Sequence, residues 1–558
     1  MRRPVTASGS VPQQQHPLPV EAPAGFNADL LLIALAGAVG ATLAAIDLAS
    51  RSLWLDEGST FAISSQHGSA LWHAIAHDGG NMLIYYLLTH LLIGWFGDAS
   101  WVLRLPSVLA TAATGGLTVA IALRLFPSNR RLALAAGLLA VVSLPLVFWG
   151  QDARGYAWLV TLDAASFLAL LAILQTPSGR PVGRGQVIAY VLTTAAALYV
   201  GFDAALLIPA QLILLTVYRG HGRLVITSLV GALLLCVPLV VLALERGTGQ
   251  LFWVPPLSPS VAGKAVVILL SAAMPPNFHA TSTTVVTVLV SALISLAAVA
   301  LGVRAALART ERLGSPAPSS SVPSRSVRFV LCWLLVPSGL ALLAYAVGEP
   351  VELARVVILA LPPLALLTAW LLLGAGVQPR AGVQPRAGVP PRVGVAAVTL
   401  LLALRLLQIV PSYGLSPEPW RGVTAQVLRA TPADTRACIA FYPQDGREPF
   451  DYYLRSLKAD AHVSNLVPVL PALPWSQVRP YVEEYSGLTS SAGSRIATRC
   501  PRLWLISSHA GQRNGTRASA ANYRRYQHLQ EVLSGHYPHS STSTFGWASK
   551  IEVTLFER

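Results

Sequence analysis

The chain has 558 residues, of which 53% are hydrophobic and only 12% are charged, and its mean hydropathy is +0.55. A soluble domain would carry about twice this density of charge, so the composition excludes a soluble globular protein and predicts one embedded in a lipid bilayer. The formal net charge of +15 does not indicate a nucleic-acid partner, because the arginines are scattered through short loops between apolar runs, as is typical of membrane proteins.

The N-terminal segment 1–28 is rich in Pro, Gln, Ser and Ala without periodicity, and we interpret it as a disordered cytosolic tail. The apolar run that follows has a long and weakly basic leader, which favours an uncleaved first membrane span over a signal peptide. Twelve apolar runs occur in all, at 29–46, 82–97, 107–125, 132–149, 157–174, 187–200, 203–218, 224–243, 284–302, 328–347, 353–374 and 395–411.

The basic loops indicate how many of these runs cross the membrane. If the N-terminus and the arginine-containing loops are all cytosolic, Asp56 lies outside the membrane and Arg124 lies inside. The chain must then cross the membrane an odd number of times between these two residues. Two runs lie between them, so we predict that the shorter run, at 82–97, is a juxtamembrane helix in the outer interface. The prediction is an all-α polytopic membrane module over 29–411, with about 11 transmembrane helices, a cytoplasmic N-terminus and a first outer loop at 47–106.

The segment 412–558 is more polar and is predicted to be a small extracytoplasmic α/β domain. Strand-like runs occur at 437–442, 502–508 and 550–557, and amphipathic helices are predicted at 423–430 and 522–533. Cys438 and Cys500 each lie beside a predicted strand. An oxidising exterior would allow a disulfide between them, and two buried free thiols are the alternative.

The acidic pair Asp56-Glu57 follows the first span directly, in the sequence LWLDEGSTFAISSQHG (53–68). A carboxylate that is held beside apolar surface has a raised pKa and can accept a proton from a hydroxyl group. The alternative is that the two acids only mark the N-terminus of a surface helix, where negative charge complements the helix dipole.

Four arginines are predicted to lie on the outer side, where the positive-inside pattern disfavours them: Arg104, Arg154, Arg246 and Arg355. Each arginine there needs an anionic partner, which is either a local carboxylate or the phosphate of an anionic lipid. A planar guanidinium suits a pair of phosphate oxygens better than an ammonium does. As a set, these arginines favour phosphate binding.

Several short motifs follow one another in a fixed order: W-x-D-E, an aliphatic-Tyr-Tyr helix, Phe-Gly, Arg-Leu-Pro-Ser and G-Q-D-A-R-G-Y. This order resembles the polyprenyl-phosphate-dependent membrane glycosyltransferases of the C-type fold. It is most similar to the bacterial relatives of the protein O-mannosyltransferases and of the enzyme that adds aminoarabinose to lipid A. The resemblance covers about 29–255 and persists weakly at 349–363 and 418–428.

The resemblance implies that Asp56 is a catalytic base and that Gln151-Asp152 and Arg154–Tyr156 form a second outer polar cluster. The chain departs from the family pattern in three places. It has His77-Asp78-Gly79-Gly80-Asn81 where relatives often have His-x-Pro-Pro or Asp-x-Pro-Pro. It has Arg355-Val356 where many have Arg-Tyr, and Asp203 where His is common.

Together these features predict transfer of a sugar from a polyprenyl-phosphate-linked donor to a glycan, glycolipid or protein acceptor at the outer face. Asp56 would deprotonate the acceptor hydroxyl, with Glu57 as its orienting neighbour and Asp152 as a further catalytic residue. One or more of the outer arginines would stabilise the departing lipid phosphate. Direct displacement would invert the anomeric centre. Mannose is favoured by the resemblance, and arabinofuranose is the second choice.

Other residues have weaker assignments. Tyr156, His77 and Asp78 would hold sugar hydroxyls, although an interfacial tyrosine and a solvated histidine are the commoner outcomes. Trp253 would stack on a sugar face or anchor its loop in the interface. No metal cluster is evident, and a divalent cation bridging Asp56 and Asp152 is compatible with the sequence but is not required. A transporter or flippase of lipid-linked sugars and a non-catalytic glycolipid-binding relative are the alternative functions.

Overall fold

The computed structural model describes residues 24–247, 254, 258–272, 282–307, 322–349, 351, 353–374, 389–431, 434–457, 465–482, 484–485, 490–546 and 549–558. Helices dominate the first part of the chain. They are α1 (Ala24–Ala45), α2 (Leu55–Ser64), α3 (Ser69–His77), α4 (Leu83–Phe96), α5 (Ser100–Leu125), α6 (Arg130–Val141), α7 (Leu144–Gly150), α8 (Tyr156–Leu174), α9 (Arg184–Val200), α10 (Leu207–Val217), α11 (Gly222–Leu235), α12 (Val237–Arg246), α13 (Pro259–Ser271), α14 (Ser282–Leu307), α15 (Val322–Ala346), α16 (Leu353–Val356), α17 (Leu361–Leu373) and α18 (Pro391–Ile409). Short 3-10 helices precede α10 (Phe202–Leu206), join α16 to α17 (Val357–Ala360) and follow α18 (Val410–Ser412).

Each of the twelve apolar runs coincides with a helix or a pair of helices. In the described residues, α1, α5, α8, α14, α15 and α18 are long and apolar enough to cross a membrane, which makes six spans. Two bent pairs, α6 with α7 and α11 with α12, raise the number to eight if each pair is one span. A proline lies at the start of α7 and of α12, and it removes a backbone donor at each break. The number of 11 spans stays a prediction.

Three boundaries differ from the prediction. Helix α1 begins at Ala24, so the end of the predicted tail is helical. Helix α5 begins at Ser100, because the charge of Arg104 is neutralised inside the protein and does not interrupt the helix. Helix α13 lies between the apolar runs at 224–243 and 284–302, where the sequence predicted no helix. Helix α4 has 14 residues, too few to span a bilayer of ordinary thickness, as expected of a juxtamembrane helix.

Small residues allow the first spans to pack closely. A Cβ at Gly137 of α6 would lie 2.4 Å from Val119 Cγ2, and one at Gly115 of α5 would lie 2.8 Å from the carbonyl oxygen of Ala36 in α1. Such close approach is typical of helices that pack in a membrane, where van der Waals contact drives association. This packing sets the positions of the loops that carry the polar residues.

Among its described residues, the C-terminal part has four α-helices, α19 (Trp420–Ala430), α20 (Arg447–Ser456), α21 (Ser490–Arg499) and α22 (Arg517–His536). Its five strands are β1 (Ala437–Tyr442), β2 (Leu466–Leu470), β3 (Arg502–Ser507), β4 (His539–Phe545) and β5 (Ile551–Glu557), in the order β2-β1-β3-β5-β4. Strand β1 is parallel to β2 and β3, and β5 is antiparallel to β3 and β4.

The structure contains the predicted strands as β1, β3 and β5 and the predicted helices as α19 and α22. The two strands that the sequence did not predict lie at the edges of the sheet. Strand β2 contains a proline and β4 is a polar Ser/Thr run, so neither has the apolar pattern of a buried strand. Cys438 of β1 and Cys500 form a disulfide across 5.9 Å between their Cα atoms.

The sheet is covered on both faces. Tyr526 and Leu529 of α22 pack on one face, and Trp420 and Phe450 of α19 and α20 pack on the other. The second of these clusters also contains Leu53, Leu55 and Phe61 from the first outer loop. The ring of Phe61 lies 5.1 Å from that of Tyr452, edge to face. The C-terminal domain and the first outer loop therefore share one hydrophobic core.

Candidate active site

The acidic pair lies in the first turn of α2, where free backbone N–H groups attract negative charge. The N–H of Leu55 donates to Glu418 Oε2 at 3.0 Å, and the N–H of Trp54 donates to Glu57 Oε2 at 3.3 Å. The C-terminal domain thus supplies one cap of α2 through Glu418, and the helix supplies the other. This leaves Asp56 as the acid of the first turn that is not used for capping.

Glu57 is buried and forms a two-pronged ion pair with Arg104. Arg104 Nε and Nη2 donate to the two carboxylate oxygens at 2.7 Å each, and both side chains are 1% exposed. The remaining N–H groups of Arg104 donate to the carbonyl oxygens of Leu48, Arg51 and Ser52. Because all five N–H groups of an arginine are then used, Arg104 is a positioning residue and not, as predicted, a substrate contact.

The Glu57–Arg104 ion pair also joins the first outer loop to the turn between α7 and α8. The N–H of Ala153 donates to Glu57 Oε1 at 2.8 Å. Burial opposes ionisation of this carboxyl, but the guanidinium of Arg104 outweighs it and holds the pKa of Glu57 below its ordinary value. Glu57 is therefore a buried anion that joins α2 to Arg104 and to the turn before α8.

Asp152 is also buried, at 1% exposure, and its Oδ1 accepts a hydrogen bond of 2.7 Å from the indole nitrogen of Trp54. Burial, together with the charge of Glu57, raises the pKa of Asp152 well above its ordinary value. A carboxyl that is 1% exposed is out of reach of a substrate hydroxyl. The buried position of Asp152 therefore corrects its predicted catalytic role.

Asp56 differs from both of these acids because its side chain remains 26% exposed. Its Oδ2 lies 3.7 Å from Arg154 Nε and 3.5 Å from Arg355 Nη1. Arg154 comes from the turn before α8, and Arg355 comes from α16. A single accessible carboxylate between two partly exposed guanidiniums is the centre of the candidate site.

Two sets of contacts hold the guanidiniums in place. Arg154 Nη1 donates to the Tyr86 hydroxyl at 3.3 Å, and that hydroxyl donates to Asp78 Oδ2 at 2.7 Å. Burial raises the pKa of Asp78 to about 6, and the charge of Arg154 opposes this shift. Asp78 therefore fixes Arg154 through Tyr86, so its predicted contact with a sugar hydroxyl is not needed to explain its position.

Arg355 is held by aromatic residues. Its Nη1 donates to the Tyr156 hydroxyl, and its guanidinium lies 5.2 Å from the centre of the Tyr156 ring and 5.9 Å from that of Trp54. Tyr156 is only 6% exposed. The tyrosine that was predicted to bind a sugar hydroxyl is thus placed to position Arg355.

The remaining predicted residues lie elsewhere. His77 and Arg246 line a separate cavity beside Asp78. Trp253 lies outside the described residues. In the part of the chain that the structure describes, there is no group of three or more His, Cys, Asp or Glu side chains arranged to hold a metal ion.

The C-terminal domain contributes acids that the sequence did not predict. Glu448 Oε2 lies 2.5 Å from the Ser59 hydroxyl of α2, and its Oε1 accepts the N–H of Tyr481 at 2.7 Å. Burial raises the pKa of Glu448 to about 8 and that of neighbouring Asp445 to about 7. The only local signal was a run of polar residues after a predicted strand, QDGREP, which does not reveal its partner on α2.

No family model and no curated protein matches the chain. Among solved structures, the chain is similar to ArnT from Cupriavidus metallidurans bound to undecaprenyl phosphate, with a TM-score of 0.52, 15% identity and coverage of 95% of this chain and 98% of ArnT. It is also similar to the oligosaccharyltransferase AglB from Archaeoglobus fulgidus in complex with an inhibitory peptide and a dolichol-phosphate, with a TM-score of 0.51, 11% identity and coverage of 87% and 70%. At these identities the likeness concerns the fold. The chain therefore has the C-type membrane glycosyltransferase fold that its sequence motifs predict.

Proposed function

We propose that the protein transfers a sugar from a polyprenyl-phosphate-linked donor to an envelope acceptor at the outer face of the membrane. The observation that carries this proposal is the partly exposed Asp56 carboxylate between Arg154 and Arg355. The reaction needs a base for the acceptor hydroxyl and positive charge for the departing phosphate. The candidate site offers both within 4 Å of one another.

In the proposed reaction, Asp56 accepts the proton of the acceptor hydroxyl. The hydroxyl oxygen forms a bond to the anomeric carbon, and the bond between that carbon and the phosphate oxygen breaks. The electron pair of the broken bond remains on the polyprenyl phosphate, whose charge Arg154 and Arg355 stabilise. A single displacement of this kind inverts the anomeric centre.

The donor class is supported by the relatives. ArnT is bound to undecaprenyl phosphate and AglB to a dolichol-phosphate, and both ligands are long-chain lipid phosphates. For the sugar we propose mannose first, from the family resemblance, and arabinofuranose second. A glycan, a glycolipid and a protein remain as classes of acceptor.

A transporter or flippase of lipid-linked sugars is the second candidate function. The two bent helix pairs favour it, because transporters often bind substrates at broken helices. The position of the site opposes it, since Asp56 follows the end of α1 and Arg154 precedes α8, so the charges gather at one end of the spans. Alternating access requires a binding site near the middle of the membrane.

The test is an assay of the full-length protein in vesicles with labelled polyprenyl-phosphate mannose, polyprenyl-phosphate arabinofuranose and envelope fractions. We expect label in the acceptor with wild type and with the control Asp98→Asn, which changes an exposed acid outside the site. We expect its loss in Asp56→Asn. Full activity in Asp56→Asn would refute the base assignment. Movement of intact donor across the vesicle would favour the flippase, and donor binding without either result would favour a non-catalytic glycolipid-binding protein.

A further inference from the structure

A cavity of about 1090 Å³ lies between α3 of the first outer loop and residues 478–482 and 484–485 of the C-terminal domain. Its volume matches the largest ligand pockets of proteins and accommodates several sugar rings. The side chains that line it include His73, His77, Arg246, Arg479, Tyr481 and Asn522. The reaction described above uses none of them.

Two arginines and one acid, Arg246, Arg479 and Glu484, line this cavity. Burial and the charges of Arg246 and Arg479 lower the pKa of His77, and the charge of Glu484 only partly offsets them. Arg246 Nε is buried, and among the described residues it has no hydrogen-bond partner. Arg246 also lines the cavity, and a guanidinium in such a wall is suited to an anionic ligand.

The departure from the family pattern at Gly79-Gly80 has a structural explanation here. A Cβ at Gly79 would lie 2.9 Å from Arg246 Cβ, and one at Gly80 would lie 3.0 Å from Leu242 Cδ1. Both glycines have positive φ, which L side chains rarely adopt. The two glycines therefore allow the end of α12 to approach the loop closely, and this approach brings Arg246 into the cavity wall.

The cavity is connected to the candidate active site through one residue. Asp78 follows His77 in the chain and interacts electrostatically with Arg246. His77 and Arg246 both line the cavity. On its other side, Asp78 accepts the Tyr86 hydroxyl, which in turn accepts from Arg154 beside Asp56. A ligand in the cavity is thus next to the residues that position the reacting groups.

We propose that this cavity binds the acceptor and that the acceptor is an acidic glycan, a carbohydrate chain that carries carboxylate or phosphate groups. Arg246 and Arg479 would bind the acidic groups, and the exposed imidazoles of His73 and His77 would bind hydroxyls. This proposal rests on the transfer reaction proposed above, because it assigns that reaction's second substrate.

Binding can be measured without any donor. Fluorescently labelled tetragalacturonate would serve as the acidic probe and maltotetraose as the neutral one, with the detergent-solubilised full-length protein. We expect tetragalacturonate to bind more tightly, and Arg479→Gln and Arg246→Gln each to weaken it about tenfold, since each removes a charge-assisted contact. Arg429→Gln, which changes an exposed arginine of α19 away from the cavity, should bind like wild type.

Three results would overturn the proposal: equal affinity for the neutral probe, unchanged affinity in both cavity variants, or tighter binding of a tetraglutamate peptide, which would indicate a protein acceptor. Thermal unfolding of each variant confirms that it is folded. Asp56→Asn separates the two proposals, because it should lose transfer and keep tetragalacturonate affinity. If wild type transfers sugar equally well to neutral glycans, the acceptor assignment fails and the transfer function stands. If it binds tetragalacturonate through the cavity but transfers nothing, the transfer function fails instead.

Discussion

Asp56 and Glu57 are neighbours on α2, yet their side chains lie in opposite surroundings. Asp56 is partly exposed beside two guanidiniums, whereas Glu57 is enclosed by Arg104 and the N–H of Ala153. A base needs access to its substrate, and a buried anion needs its partners to remain ionised. The two acids are therefore expected to respond differently to loss of charge.

The first prediction compares Asp56→Asn with Glu57→Gln. Asp56→Asn should lower the transfer rate by about a hundredfold or more with little change in the unfolding temperature, because it removes a general base. Glu57→Gln should destabilise the fold by about 3 kcal/mol, because it leaves the buried Arg104 guanidinium without its counter-charge. Initial rates and thermal unfolding in detergent would measure both effects. A stable Glu57→Gln protein would contradict the structural role.

The second prediction concerns Tyr156, whose hydroxyl accepts a hydrogen bond from Arg355 and whose ring lies under the guanidinium. Tyr156→Phe keeps the ring and removes the hydroxyl, so Arg355 should be less well positioned for the lipid phosphate. We expect the KM for the donor to rise about tenfold with a smaller change in kcat, since one hydrogen bond from a charged group is worth about 1.5 kcal/mol or more. A loss confined to kcat would instead indicate that the hydroxyl acts in the chemical step.

At the scale of elements, α2 is held at successive turns by the C-terminal domain. Glu418 caps its first N–H group, and Glu448 contacts Ser59 one turn later. The pKa of Glu448 is raised to about 8, so the folded protein retains a proton that an unfolded chain releases near pH 4.5. The bound proton therefore stabilises the folded protein at low pH, and this stabilisation is lost as the pH rises from about 4.5 through about 8.

The third prediction is that the unfolding temperature of wild type falls between pH 6 and pH 9, and that Glu448→Gln flattens this dependence. Glutamine resembles the protonated acid and cannot ionise. At pH 9 the variant should be more stable than wild type. A residual slope is expected from Asp445, whose pKa is raised to about 7. Glu531→Gln, on the exposed face of α22, should keep the wild-type slope, and an unchanged slope in Glu448→Gln would contradict the prediction.

The sequence motifs and the charge pattern of the loops singled out Asp56 and the arginines that lie beside it in the structure. Arg154 and Arg355 were singled out because they break the charge pattern of the loops, and the structure brings both of them to Asp56. The same reasoning could not distinguish them from Arg104, because the hydrogen bonds that occupy Arg104 go in part to backbone carbonyls of another segment. Glu448 was missed because its partner, Ser59, is remote in the sequence.

At the scale of the whole molecule, the C-terminal domain is joined to the membrane module by a shared core, with Phe61 against Tyr452 as one contact. The sequence predicted a small C-terminal α/β domain, and a five-stranded sheet with helices lies there. It could not predict the docking, because an apolar residue such as Leu53 or Leu55 after a span looks like an interfacial residue until its partners are known. We therefore expect that destabilising the C-terminal domain lowers the transfer activity.

The fourth prediction tests this link through the disulfide between Cys438 and Cys500, which closes a loop of 62 residues. Removing such a crosslink destabilises a domain by about 4 kcal/mol in the chain-entropy model. We expect dithiothreitol to lower both the unfolding temperature and the transfer rate of wild type, and to have no further effect on a Cys438→Ser, Cys500→Ser double variant. A destabilised domain with full transfer activity would show that α2 does not depend on it.

The contacts of α2 also limit which parts of this protein can be exchanged with those of a relative. Arg104 of the membrane module anchors the helix from one side, and Glu418 and Glu448 of the C-terminal domain anchor it from the other. A chimera that exchanges the C-terminal domain with that of a relative would replace both of those acids at once. Such a chimera would be expected to keep its donor chemistry only if the incoming domain supplies equivalent carboxylates, or if α2 is transplanted together with the domain.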